Sequence, residues 1–155
     1  MKPIEVSETV HAPIESVFSV VSNIPNAVET IRGIDAIEML TDGPVGEGTK
    51  WRETRTFWGK QAEETMWIID WHPPTRYVVE ARSHGTHYLT TIHLEEIGQH
   101  ETRVTYSMLA EPETLMSRVF MVLFAGMKKH VIKCFSEDLA DIKRVCEAAE
   151  QPTAV

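Results

Sequence analysis

Three ionisable residues near the middle of this 155-residue sequence are spaced for acid and base chemistry: Glu53, Arg55 and Glu64. From Thr49 to Trp58 the chain alternates, with Trp51, Glu53, Arg55 and Phe57 on one face and Lys50, Arg52, Thr54 and Thr56 on the other. That is the period of a two-sided strand. The aromatic face demands burial and carries Glu53 and Arg55 inward with it. Gly59 suits a tight hairpin. With Trp58 and Gly59 as a two-residue loop, Arg55 stands opposite Ala62, Glu53 opposite Glu64, and Trp51 opposite Met66. This register predicts Arg55 between two carboxylates. In a dry site one of the two carboxyls would keep its proton more tightly. Glu53 or Glu64 could then act as general acid or base while Arg55 holds a ligand carboxylate or enolate oxygen. The same arrangement also serves as a structural ion-pair network between strands, and spacing does not separate the two roles.

Other chemistry is poorly supported. His84 and His87 flank a turn, and His87 and His93 share a strand face, but no Cys/His or His-Glu-x-x-His spacing accompanies them. No metal site is expected, and these histidines read as solvated. Gly46-Glu47-Gly48 lacks the third glycine and the following helix of a dinucleotide fingerprint, and no serine nucleophile elbow occurs, so neither cofactors nor covalent catalysis are expected.

The positioning elements can be read in order. Ile4 to His11 alternates as a strand, and Pro13 opens a short helix carrying Val17, Phe18 and Val21. Asn23 and Pro25 break it before a second short helix ending near Gly33. Strands are predicted at Ile34 to Leu40, Thr49 to Trp58, Gln61 to Trp71, Tyr77 to Ser83, Thr86 to Ile97 and Arg103 to Ala110, linked by hairpin turns. In that register Trp67 and Trp71 lie opposite Met66 and Ile68, on an outer apolar surface. From Glu113 to Ala149 the apolar positions Phe120, Phe124, Met127, Val131, Phe135, Leu139, Ile142, Cys146 and Ala149 recur at the helical period. One long helix is predicted, with Pro112 in its first turn, Glu111 and Glu113 at its positive end, and Gly126 as its bend. The fold class is α+β: about seven antiparallel strands curled around a long C-terminal helix.

A chain of this length, 43% hydrophobic, predicts one domain over residues 1–150 with a short tail at 151–155. A formal charge of −8 without a basic run argues against nucleic acid. The apolar stretch Val119 to Met127 is too short to span a bilayer. A cytoplasmic protein is expected. Cys134 and Cys146, twelve residues apart on one helix, would be about 18 Å apart, beyond disulfide reach. The same apolar stretch offers surface for a membrane, a lipid donor or a dimer contact, and Trp58 with Trp67 and Trp71 offers a second apolar surface that a homodimer could use.

This order of elements resembles the START-like superfamily, within it the polyketide cyclase/dehydrase and lipid transport branch. The likeness rests on Ala12-Pro13-Ile14-Glu15-Ser16-Val17-Phe18 after the first strand, Gly46-Glu47-Gly48-Thr49-Lys50-Trp51 opening the third, and Pro73-Pro74-Thr75-Arg76 before the fifth. The resemblance implies a helix-grip fold with a pocket between sheet and helix for lipids, polyketides or other apolar molecules. Some relatives are cyclases and many only bind or carry. Combining the strand faces gives an inward lining of Trp51, Glu53, Arg55, Phe57, Glu64, Tyr77, Tyr88, Thr90, Tyr106 and Met108, roofed by Phe120, Phe124 and Met127. Its composition suits a small hydrophobic ligand. Three functions are consistent with it: a carrier or binding protein, a cofactor-independent cyclase or dehydratase using Glu53 or Glu64, and a partner-binding domain whose aromatics merely fill the core.

Overall fold

The computed structural model describes residues 2–123 and 126–151. Strand β1 (Ile4–Val10) leads into helix α1 (Ile14–Val21), a 3-10 turn at Ile24–Asn26 and the single-turn helix α2 (Ala27–Thr30). Six strands follow: β2 (Ala36–Met39), β3 (Lys50–Phe57), β4 (Lys60–His72), β5 (Arg76–Ser83), β6 (Thr86–Gly98) and β7 (Glu101–Pro112). Helices α3 (Leu115–Leu123) and α4 (Met127–Glu150) close the described chain. Every pairing is antiparallel, in the order β1-β7-β6-β5-β4-β3-β2, so the sheet is a meander with β1 added beside β7.

The β3–β4 hairpin takes the predicted register, with Glu53 opposite Glu64 and Phe57 opposite Lys60. Its loop residues Trp58 and Gly59 both have positive φ, 49° and 77°, the backbone of the turn whose twist matches paired strands. His84 and Gly85 repeat this between β5 and β6, with φ of 50° and 74°. In β4 the register slips between Ile68 and Asp70. The extra residue, Ile69, points outward, and every later side chain changes face. Trp71 is therefore turned inward against Phe18 and Tyr77, with ring centroids 5.3 and 5.6 Å away. It does not lie on the outer surface that uninterrupted alternation predicts. Trp67 does face outward, under Lys50 Nζ and donating from Nε1 to Glu80.

The C-terminal segment is two helices rather than the single long helix that its period predicts. Pro112 is the last residue of β7, opposite Thr86, and no helix begins there. Because β1 pairs β7 only as far as Met108, one edge of β7 is open at Pro112 and its missing N–H leaves no bond unmade. Helix α3 starts after Thr114, whose Oγ1 accepts from the Ser117 N–H while the Thr114 N–H donates to Ser117 Oγ. This reciprocal cap satisfies donors that a helix start leaves open. Gly126 is the residue just before α4, with φ −67° and ψ −15°.

Helix α4 does two things along its length. Its C-terminal half inserts Leu139, Ile142 and Cys146 into the main core with Val10, Val17, Leu94 and Val104. Its N-terminal half stands over the inner face of β3 to β7, where the space is not filled.

Candidate functional site

Between the sheet and the first half of α4 lies a cavity of about 360 Å³. β3 contributes Trp51, Glu53, Arg55 and Phe57 to its wall, because residues two apart on a strand share a face. Glu64 and Met66 come from β4, Tyr77, Val79 and Ala81 from β5, and Tyr88, Thr90 and Ile92 from β6. Tyr106 and Met108 on β7 complete the set expected from strand alternation, Met127 on α4 joins them as expected of the roof, and Met66, Val79, Ala81 and Ile92 are additions to the expected lining. Phe120 is not among the lining residues, and on α3 it is 48% exposed. Phe124, also expected in the roof, lies outside the described residues. The lid is formed instead by α4 residues His130, Val131, Cys134 and Phe135, with Val20, Ile24 and Ile31 from the first helical segment.

The charged end of the cavity differs from the arrangement the hairpin register suggests. Arg55 Nε donates to Glu53 Oε1 at 2.6 Å, while Nη1 and Nη2 grip Asp138 at 3.1 and 2.8 Å. Its second carboxylate is thus Asp138 and not Glu64. The cause is α4, which crosses the sheet here and presents two oxygens in the plane that matches the guanidinium fork. All three side chains are largely withdrawn from water, at 18%, 11% and 6% exposure for Arg55, Glu53 and Asp138. Burial opposes the charge on Arg55, yet the hydrogen bonds to Asp138 and the charges of both carboxylates outweigh it and hold the guanidinium more firmly protonated. Burial also pushes the Asp138 carboxyl up, against the pull of Arg55, and Glu53 and Asp141 add repulsion. Gly33 packs on this group so closely that a Cβ would lie 3.1 Å from Arg55 Nη1.

Asp138 was legible in principle. It sits three residues after Phe135 and four before Ile142, inside the apolar stripe of the helix, and an acid on a buried stripe requires a partner. Asp141 beside it is also buried and accepts from the Arg32 backbone N–H and from Arg32 Nε, at 2.9 and 3.0 Å. Burial alone would raise the Asp141 carboxyl, but Arg32 brings it below the usual carboxylate range.

Without Arg55 as a partner, Glu64 is a half-buried carboxyl facing the cavity. Burial raises its pKa, and the charge of Glu53 across the strand pair adds to the rise, while Ser83 and His84 oppose it. Tyr106, 8% exposed and edge-on to Phe135, leaves its hydroxyl without a hydrogen-bond partner among the described residues. The Tyr77 hydroxyl is spent on the Val21 carbonyl at 2.6 Å. At the rim, Cys134 Sγ lies 3.7 Å from His130 Nε2. Burial raises the Cys134 thiol despite the nearby Arg55, so this pair does not supply a ready thiolate. His87 is not a solvated histidine but is held on the outer sheet face, 2.8 Å from Glu80.

A curved antiparallel sheet gripping a C-terminal helix, with a cavity between them, defines a START-like helix-grip protein. The chain belongs to the polyketide cyclase / dehydrase and lipid transport family, whose sequence profile matches residues 1–147. Solved structures share this fold. A START superfamily protein from Mycobacterium smegmatis superposes with a TM-score of 0.78 at 12% identity, covering 96% of this chain and 99% of that one. The Zhui aromatase/cyclase from Streptomyces sp. R1128 gives 0.75 at 13% identity, covering 99% and 98%. Norcoclaurine synthase from Thalictrum flavum gives 0.75 at 16% identity, covering 97% and 96%. No curated protein sequence matches the chain.

Proposed function

We propose that this protein binds an uncharged, largely apolar small molecule between the sheet and α4, as a carrier or binding protein. The observation that carries the reading is the unfilled space of about 360 Å³, walled mainly by apolar and aromatic side chains. An apolar cleft of this size with a few polar groups is the usual form of a small-molecule site. The charged end supports an uncharged ligand. Two carboxylates already occupy Arg55, and the formal charge of the group is negative, which disfavours the ligand carboxylate that the sequence alone suggests. The open Tyr106 hydroxyl suits a ligand carrying a carbonyl or hydroxyl oxygen. Native mass spectrometry of protein purified without denaturation tests this reading. It is expected to release one apolar molecule per chain. Protein that is empty and takes up no apolar probe would favour a partner-binding domain instead.

Glu64 favours a second reading, a cofactor-independent cyclase or dehydratase. A cavity carboxyl that makes no salt bridge among the described residues, with a pKa raised by burial, suits passing a proton to or from a bound carbonyl compound. Glu64→Gln separates the readings once a ligand is known. The carrier reading requires binding with no chemical change in either protein, whereas the enzyme reading requires turnover that the variant loses while binding persists.

A further inference from the structure

Helix α3 has its polarity reversed relative to a packed helix. Ser117 is buried and tied to Thr114, while Leu115, Met116, Val119 and Val122 are 79%, 80%, 53% and 79% exposed. At 100° per residue these four fall on one side of the helix, opposite Ser117. The charge around them is equally unusual. The segment from Thr114 to Cys134 contains Arg118, Lys128, Lys129 and Lys133 and no acidic residue. It thus takes four of the 15 basic residues and none of the 23 acids, leaving eleven bases against 23 acids, a formal charge of −12, elsewhere. Arg118, Lys128 and Lys129 are exposed, and among the described residues Lys133 has only a long 3.9 Å contact to Glu137.

We infer that the outer face of α3 and the first turn of α4 form a peripheral docking surface for an anionic lipid bilayer. An exposed apolar stripe edged by basic residues enters the headgroup region while its charges meet lipid phosphates. Nine residues make a helix of about 13.5 Å, far short of a span, so α3 would lie in the interface. The acidic remainder is repelled by the same surface and turns the molecule so that only this face approaches. A two-fold contact between copies would set the basic rims against each other, which disfavours a second chain as occupant. Trp58 extends the surface: it is 79% exposed, is held at a left-handed φ of 49°, and stacks on His130 one turn into α4 with centroids 4.6 Å apart. Indole rings favour the membrane interface. Trp58 and Met127 also lie on the cavity rim, so the docking face borders its mouth. Docking through this face is independent of what the cavity holds.

Flotation of the full chain with phosphatidylcholine vesicles, with and without phosphatidylglycerol, tests it. The protein is expected to float with the anionic vesicles, to bind neutral ones about tenfold less, and to be released by salt. Lys128→Glu with Lys129→Glu, and separately Met116→Asp with Val122→Asp, should each weaken binding about tenfold or more. Because all four side chains are exposed, both double variants should keep the parent's circular dichroism and thermal midpoint. Absence of flotation with anionic vesicles, or flotation equal in parent and variants, overturns the proposal. A concentration-dependent dimer abolished by Met116→Asp with Val122→Asp would overturn it as well and give the face to a second copy.

Discussion

Arg55 joins three separate parts of the chain: Glu53 on its own strand, Asp138 from α4, and the backbone at Gly33. Replacing it with Met keeps the stem but leaves two carboxylates facing one another without a cation. Breaking a buried pair from one side costs about 3 kcal/mol, and Arg55→Met is expected to lose roughly that much near neutral pH. Protonation relieves the repulsion, so the deficit should shrink in acid. Urea denaturation at the two pH values measures it, and a deficit that did not depend on pH would contradict the ion-pair account. Glu64 gives the complementary case. Its folded pKa is raised above the ordinary 4.5, so folding favours the protonated carboxyl. Ionisation costs stability above the raised pKa, and that cost disappears as the pH falls below 4.5. Glu64→Gln should therefore raise the denaturation midpoint at neutral pH and converge with the parent in acid. A variant less stable than the parent at neutral pH would count against burial as the cause. Strand alternation alone places Glu53, Arg55 and Glu64 on the inner face. The pairing of Arg55 with Asp138, by contrast, depends on where a helix 83 residues later crosses the sheet, and no local pattern carries that.

At the scale of elements, short-range turn chemistry was legible and interruptions were not. Trp58-Gly59 specifies a two-residue hairpin from sequence, and the register follows from it. The β4 bulge has no such marker, since Ile68 and Ile69 are equally apolar, and it alone decides that Trp71 packs inside. The helical period runs unbroken from Phe120 through Phe135, so only Gly126 hints that α3 and α4 are separate. That difference is measurable. A proline inside a continuous helix costs about 3 kcal/mol or more, whereas Gly126 has a φ of −67°, which proline adopts, and a Cβ there would meet nothing within 4 Å. Gly126→Pro is expected to cost less than about 1 kcal/mol. A fall in thermal midpoint corresponding to the full mid-helix penalty would restore the single long helix.

For the whole molecule, the order of strands and helices follows from hydrophobic periods and turns, and with it the helix-grip architecture. The unfilled interior does not follow from them. Alternation says which side chains face inward, but whether they meet across the gap depends on how far α4 stands from the sheet. Here its far half is packed by Leu139, Ile142 and Cys146 and its near half is held by the Arg55–Asp138 pair over open space. Ala81 marks the place to fill that space. It lies on β5 between Met66 and Tyr88, with its methyl group on the cavity wall. Titration with the neutral dye N-phenyl-1-naphthylamine, followed by its fluorescence, compares the parent with Ala81→Phe. The parent should bind saturably at one site, and the variant should bind about tenfold more weakly, ~1.4 kcal/mol, with its thermal midpoint largely kept because the ring enters empty volume. No saturable binding to the parent, or equal affinity in both proteins, would contradict a ligand-holding cavity.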